Sequence, residues 1–401
     1  MNNWKAKFVL LGVGQAVSML TSSILQMSIV WYLTQTTLSP TVVTLSTLAG
    51  FLPRAVLGLF TGVFIDRFDR KKILILADLG IALCALILAA AAAFGELPLW
   101  LIFIVLCLRS AGAAFHTPSF NAVVPTIVPK ESLTRCAGIT QGFESISLVL
   151  SPALAAFLYN LWDLSAIILL DVAGAAVAIT IVALLPIARY AIEGERAALH
   201  IWQDTKEGFQ MLRRVPGLFA VMVISTLYAF IYFPVGSMYP LITMDYFGGG
   251  ISESSMVEIA FSSGTLLGAF LLSLLGNRIR RLGGITASIG LYGLGLVITG
   301  LLPPGGLRLF IFLSVFMGLT LPFFYGLRTA ILQSNVPGEY LGRVLSLTYS
   351  VSLFASPLGL LFGGAFAELM GVNTCFLLCG VLSVCLACAM LLTPSVRRSR
   401  L

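Results

Sequence analysis

Three ionisable side chains lie deep within apolar stretches of the sequence, where a proton could be bound and released. Arg54, Arg109 and Glu144 each fall roughly 9 to 13 residues from an end of their stretch, near the middle of a membrane-spanning helix at about 1.5 Å per residue. A charge at that depth is costly and by default marks a transport pathway or an ion pair. We expect Glu144 to exchange protons, with Arg109 and Arg54 close enough to govern its protonation. A static ion pair that fixes helix packing is the open alternative.

Two other carboxylates and one histidine are weaker candidates for the same chemistry. Asp171 and Glu258 fall in the outer thirds of their apolar stretches, where we expect water to reach them. His116 is open to two interpretations, a proton relay or a hydrogen-bonded packing residue, and the second is favoured.

Polar and aromatic side chains on three of the apolar stretches indicate where a substrate would bind. One face of the first stretch, within about 80° at 100° per residue, carries a polar stripe of Gln15, Ser18, Ser22 and Gln26. The seventh and tenth stretches carry the aromatic residues Tyr228, Tyr232, Phe324 and Tyr325. Lipid offers no hydrogen-bond partners, so the stripe should face the protein interior. Such walls suit a bulky amphipathic ligand, and ordinary interior packing is the alternative for each residue.

The elements that must hold these residues are helices that cross a membrane. The chain has 401 residues, of which 58% are hydrophobic and 10% charged, a composition typical of a polytopic membrane protein. Apolar stretches separated by charges or Gly/Pro turns predict twelve spans, at about 8–32, 41–65, 73–94, 98–122, 136–158, 165–186, 217–243, 255–276, 283–302, 307–330, 342–366 and 373–392. We therefore predict an all-α fold with six-helix bundles over 1–186 and 217–401, joined by a cytoplasmic linker over 187–216.

An internal repeat supports two similar halves. The pattern V-P-x-E-x-L-x-R occurs at Val128–Arg135 and again at Val336–Arg343, and it opens the fifth and the eleventh predicted spans. Because a repeat at corresponding places is the mark of a duplicated bundle, we predict that the two halves are pseudo-symmetric.

The charges predict the topology of the chain and exclude other classes of ligand. Nearly all of the 24 Lys and Arg residues fall on one predicted side, so the net charge of +7 reflects the positive-inside rule rather than nucleic-acid binding, and both termini are predicted to be cytoplasmic. The seven cysteines lie in or beside apolar stretches, where packing is favoured over a disulfide or a metal site. We expect no metal and no cofactor.

A charged turn joins the second and third spans. It reads G-V-F-I-D-R-F-D-R-K-K from Gly62 to Lys72 and resembles the loop signature of the major facilitator superfamily, G-x-x-x-D-R-x-G-R-K-K, with Asp69 where that family usually has Gly. The matching residues are Gly62, Asp66, Arg67, Arg70, Lys71 and Lys72. Close helix approach at the glycine, an acid near a helix N-terminus and a basic cluster at the surface together predict a breakable cytoplasmic gate.

Asp78, just inside the third span, is expected to pair with the basic residues of this gate. The alternative for the whole loop is a topology signal with no moving part.

The resemblance extends over essentially the whole chain and narrows to one branch of the superfamily. Short matching segments are Asn2–Lys5, Gly14–Val17, Gly50–Pro53, Ala114–Pro118, Trp162–Leu164 and Tyr340–Val344. They resemble the bacterial macrolide-efflux (Mef-type) branch. The resemblance implies a multi-pass protein of the plasma membrane, expected to be monomeric, that exports amphipathic macrolide-like drugs in exchange for protons by alternating access. Arg54 and Glu144 depart from this branch, where uncharged residues are expected.

Three other functions stay open at this point. The same fold could export a siderophore or a lysolipid, or it could be the membrane partner of an ABC ATPase. The chain itself is not expected to hydrolyse ATP, because none of its lysines follows a glycine as a P-loop requires. No constellation of residues supports an enzyme.

Overall fold

The computed structural model describes residues 4–95, 97–129, 132–186, 201–215, 217–275 and 278–393. For a minority of helical positions only the backbone is described. The sequence-predicted residues whose side chains lie outside the description are Gly62, Asp66, Arg67 and Glu144.

The first half of the described chain forms long helices connected by short turns. They are α1 (Trp4–Thr37), α2 (Pro40–Arg67), α3 (Arg70–Ala93), α4 (Leu99–Ile127), α5 (Leu133–Leu161) and α6 (Leu164–Leu184). Helix α3 begins where the carboxylate of Asp69 accepts a hydrogen bond from the backbone N–H of Lys71 at 3.0 Å. Asp69 is thus the N-cap of α3, which gives a physical reason for an acid where the family signature has glycine.

The second half begins with a polar helix, α7 (Ile201–Arg214), within the segment predicted as a linker. The remaining helices are α8 (Leu218–Ser237), the single turn α9 (Tyr239–Leu241), α10 (Ile251–Leu275), α11 (Arg281–Leu301), α12 (Leu307–Asn335), α13 (Gly338–Met370) and α14 (Val372–Leu392). A π-helical turn follows α9 at Ile242–Tyr246, and a 3₁₀ turn precedes α12 at Pro304–Gly306.

Among the helices that the structure describes, eleven are long and apolar enough to cross a membrane. Helix α5 has 29 residues and an apolar part at Val149–Leu161, and it occupies the place of the fifth predicted span. No strand occurs in the described ranges. The predicted all-α, multi-pass membrane fold is therefore confirmed.

The chain separates into two compact units. The first comprises Met1–Leu33 and Ser46–Glu195, and in it α3 packs against both α4 and α6. The second comprises Thr34–Leu45 and Arg196–Leu401, with α10 packed on α12, α11 on α14 and α8 on α13.

Small residues let the backbones of the second unit approach closely. A methyl group added to Gly264 or Gly268 of α10 would collide with the backbone carbonyl of Val315 or Leu319 of α12, and one added to Gly318 of α12 would meet that of Phe261. Small residues at a helix interface are the usual solution in a membrane, where close packing rather than the hydrophobic effect holds helices together.

We therefore expect Gly264→Ala to destabilise the protein by roughly 1–3 kcal/mol, since the added methyl meets backbone that cannot rotate away. Thermal unfolding of the detergent-solubilised protein measures the change. Gly236→Ala in α8 is the matched control, because an added methyl there meets no atom within 4 Å. Equal unfolding temperatures for the two variants would contradict close packing of α10 on α12.

Candidate functional site

The first unit encloses a polar cavity of about 460 Å³. Its hydroxyl and amide lining consists of Gln15, Ser18, Ser22, Ser23, Thr117, Asn121, Thr140 and Ser147. Three residues of the predicted polar stripe are therefore on the cavity wall. Gln26, the fourth, is half-buried against Gly50 of α2 and is not part of the lining. We define this space as the N-terminal cavity.

A buried ion pair lies beside the N-terminal cavity. The guanidinium of Arg109 on α4 donates to Oδ2 of Asp171 on α6 at 2.5 Å, and Ser22 on α1 donates to Oδ1 of the same carboxylate at 2.7 Å. Asp171 is 1% exposed, so the expectation that water reaches it is wrong. Its carboxylate points into the bundle, where Ser22 of α1 and Arg109 of α4 bind it.

Close packing of α1 on α6 places Ser22 beside Asp171. A methyl group on Gly174 of α6 would collide with the side chain of Thr21, and one on Gly14 of α1 would lie 2.9 Å from Cδ1 of Ile181. These two glycines keep the helices close enough for the hydroxyl of one to reach the carboxylate of the other.

The described contacts of Arg109 and Arg54 are with other residues, and the predicted contacts with Glu144 lie outside the described side chains. Arg109 is engaged by Asp171, and Arg54 is an exposed residue of the cavity wall whose guanidinium lies 3.4 Å from the hydroxyl of Thr117. The backbone N–H of Arg54 also donates to Ser110 at 3.1 Å. The proton-exchanging role of Glu144 stays a prediction, since its side chain lies outside the described residues.

Asp78 has a different partner from the one predicted. Its Oδ1 lies 3.2 Å from Nε2 of His116 on α4, and both residues line the N-terminal cavity. Asp78 stands eight residues after the start of α3 at Arg70, about 12 Å along the axis at 1.5 Å per residue. That distance separates it from Arg70, and both Arg70 and Lys71 bind other groups, so its predicted pairing with these two residues of the gate is wrong.

The described basic residues of the turn bind helix ends instead. Arg70 donates to the carbonyl of Ala122 in the last turns of α4 at 3.0 Å. The ammonium of Lys71 donates to the carbonyls of Ala183 and Leu185 at the end of α6, at 2.7 and 2.8 Å. Cations are favourable at helix C-termini, where carbonyl groups lack partners. Lys72 is exposed.

The aromatic candidates lie in the second unit and fall into two groups. Tyr228 and Phe324 are each 1% exposed, with ring centroids 4.5 Å apart, so they are part of the packed core. Tyr232 is half-buried and Tyr325 is 37% exposed, which leaves these two rings accessible. Sequence reasoning missed Arg328, whose guanidinium carbon lies 5.3 Å from the ring centre of Tyr325. Its charge inside an apolar stretch was the available signal.

Glu258 on α10 is half-buried and lies within electrostatic range of the hydroxyls of Tyr232 and Tyr239. In the part of the chain that the structure describes, its carboxylate has no hydrogen bond or ion pair. A carboxylate in a membrane span without a cation is costly unless water or a ligand reaches it.

Long apolar helices that carry ion pairs and surround a polar cavity define a membrane transporter, and similarity to known proteins gives its family. The model of the transmembrane secretion effector family matches residues 4–400. Macrolide efflux protein A of Streptococcus pyogenes is 47% identical over 397 residues, which cover 99% of this chain and 98% of that protein. Macrolide efflux protein A of Enterococcus faecalis is 48% identical over 313 residues, covering 78% of this chain and 97% of that protein.

The chain belongs to the transmembrane secretion effector family of the major facilitator superfamily, in its macrolide-efflux branch. The crystal structure of the nucleoside transporter NupG shares the fold, with a TM-score of 0.77 at 13% identity and coverage of 96% of this chain and 98% of that one. The family predicted from the sequence is confirmed, and the protein is a multi-pass membrane exporter.

Asp171→Asn leaves the guanidinium of Arg109 buried without a counter-charge, which for a buried pair costs about 3–5 kcal/mol. We expect a large fall in the thermal unfolding temperature. The double variant Arg109→Leu/Asp171→Leu removes both charges and should recover much of the loss. Ser23→Ala on the cavity wall is the control and should unfold like the wild type. If the double variant is no more stable than Asp171→Asn, the unpaired charge of Arg109 is not the cause of the lost stability.

Proposed function

We propose that this protein exports macrolide-like drugs in exchange for protons. The observation that carries the proposal is the 47% identity to macrolide efflux protein A over 99% of this chain, because identity of that extent covers every span that could shape a substrate site. The polar N-terminal cavity supplies the matching chemistry.

The N-terminal cavity suits a large, hydroxylated, otherwise apolar ligand. Its volume of about 460 Å³ lies within the roughly 300–1,000 Å³ of small-molecule sites. Amide and hydroxyl groups from Gln15, Ser18 and Thr117 can exchange hydrogen bonds with sugar and lactone oxygens. In the second unit, the accessible rings of Tyr232 and Tyr325 offer an apolar surface.

Proton exchange supplies the energy for export. One proton moving down about 100 mV releases about 2.3 kcal/mol, which supports a substrate gradient of roughly 50-fold at about 1.4 kcal/mol per tenfold. We assign Glu144 and Glu258 as the coupling carboxylates. Glu258 is supported by its lack of a described cation partner. The Arg109–Asp171 pair, in contrast, holds the helices around the cavity in place.

Transport follows alternating access, in which the cavity is exposed to one side of the membrane at a time. The turn from Gly62 to Lys72 forms the cytoplasmic gate, and both termini are cytoplasmic. The contacts of Arg70 and Lys71 with helix ends support the gate, since these surface hydrogen bonds can break and re-form as α3 moves.

Accumulation of a radiolabelled macrolide in cells that express the chain tests the proposal. We expect expression to lower accumulation and a protonophore to restore it, because collapse of the proton gradient removes the driving force. Export that survives the protonophore would contradict proton exchange, and accumulation unaffected by expression would contradict macrolide export.

Glu258→Gln should abolish proton-driven export while leaving equilibrium binding of the macrolide within about twofold, because the amide keeps the shape of the carboxylate but takes up no proton. The matched control is Glu253→Gln on the same helix, where the side chain accepts a hydrogen bond from the N–H of Gly250 at 2.8 Å and an amide oxygen can do the same. Full export by Glu258→Gln would remove this residue from the coupling role.

A further inference from the structure

A histidine and an aspartate form a buried pair on the wall of the N-terminal cavity. His116 on α4 is 8% exposed and Asp78 on α3 is 4% exposed, and Nε2 of the imidazole lies 3.2 Å from Oδ1 of the carboxylate. The contact has the distance of an ion pair but not the alignment of a hydrogen bond, so the buried Nε2 has no hydrogen-bond partner among the described residues. Both side chains border the cavity.

This geometry suits a positively charged imidazole beside the carboxylate better than a neutral one. A neutral imidazole beside a carboxylate needs an aligned N–H to offset the burial of its nitrogen. Attraction between an imidazolium and a carboxylate depends on distance far more than on alignment, and 3.2 Å is close. Histidine is also the side chain whose charge ordinarily changes between about pH 5 and pH 8.

We propose that Asp78 and His116 form a proton-carrying site of the first unit. A hydronium ion that enters the cavity from one side of the membrane transfers its proton to the neutral imidazole of His116, which leaves water and an imidazolium–carboxylate pair. The reverse transfer to water on the other side restores the neutral ring. The inference rests on the proposed drug–proton exchange and adds a site that the carboxylates assigned above do not include.

The other described groups that face the pair are one cation and several neutral polar side chains. From α2, the exposed Arg54 reaches Thr117, the residue after His116. From α1 the wall presents Gln15 and Ser18, and from α5 its described side chains are Thr140 and Ser147.

The described charges deep in α4 and α6, Arg109 and Asp171, neutralise one another. On α6, Asp171 is held by Arg109 of α4, so neither charge is available to His116. The pair itself carries a net negative charge while its ring is neutral and attracts the ammonium group of an amphipathic amine, whereas Arg54 on the same wall opposes the amine in both protonation states of the pair. Protonation makes the pair neutral and adds a cation that repels the amine, which is the exclusion that an exchanger requires.

The decisive measurement is proton release when a macrolide that carries a tertiary amine binds to the purified full-length protein in weak buffer. We expect the wild type to release protons on binding and its affinity to fall about tenfold per pH unit on the acidic side, as linkage to one proton requires. His116→Gln should release about one proton fewer than the wild type on binding the drug, and its affinity should fall correspondingly less over the same pH range. His200→Gln, which changes the other histidine of the chain, is the matched control and should behave like the wild type. Unchanged proton release by His116→Gln overturns the proposal.

A second measurement keeps this inference separate from the proposed function. Nuclear magnetic resonance of ¹⁵N-histidine in the His200→Gln protein follows the ring of His116 without any drug. The proposal requires that the ring take up a proton as the pH is lowered, and a ring that stays in one protonation state overturns it. A wild type that binds no macrolide while His116 titrates would instead refute macrolide export and leave the proton site standing.

Discussion

The structure depends on one constraint: an ionisable side chain within a membrane span must be paired or must face water. Arg109 and Asp171 satisfy it as a fully buried ion pair at 2.5 Å. Asp78 and His116 satisfy it in part, because they meet at 3.2 Å and also border a polar cavity. Arg54 satisfies it by exposure to that cavity. The cavity therefore gives water to Arg54, which has no described ion-pair partner, and borders the pair of Asp78 and His116.

Close helix packing and contacts at helix ends keep these groups in place. The glycines of α1 and α6, Gly14 and Gly174, bring the hydroxyl of one helix to the carboxylate of the other. At the turn before α3, Asp69 caps the helix, while Arg70 and Lys71 donate to carbonyls at the ends of α4 and α6. The same turn thus starts one helix and fastens it to two others by hydrogen bonds that water can replace. Such bonds hold a helix without preventing its movement, as a transporter needs.

The fold could be predicted from the sequence because a membrane span requires only length and apolar composition. Three residues of the polar stripe could be assigned to the protein interior because lipid offers polar side chains no hydrogen-bond partners. The partners of the charges could not be predicted. Arg109 meets Asp171, which was not its predicted partner, and Asp78 meets His116. Depth along a helix can be counted from the sequence, but the partner depends on the rotation of each helix, which is set by packing between residues distant in the chain.

In the proposed mechanism, a drug in the cavity and a proton on the spans exclude one another, so that the movement of one drives the other. Proteoliposomes that contain the purified protein and an internal pH indicator test this claim most directly. With no pH gradient imposed, a macrolide gradient across the vesicle should drive protons in the direction opposite to the drug and change the internal pH until a protonophore is added. Macrolide that equilibrates across the vesicle membrane through the protein without any change in internal pH would contradict the account.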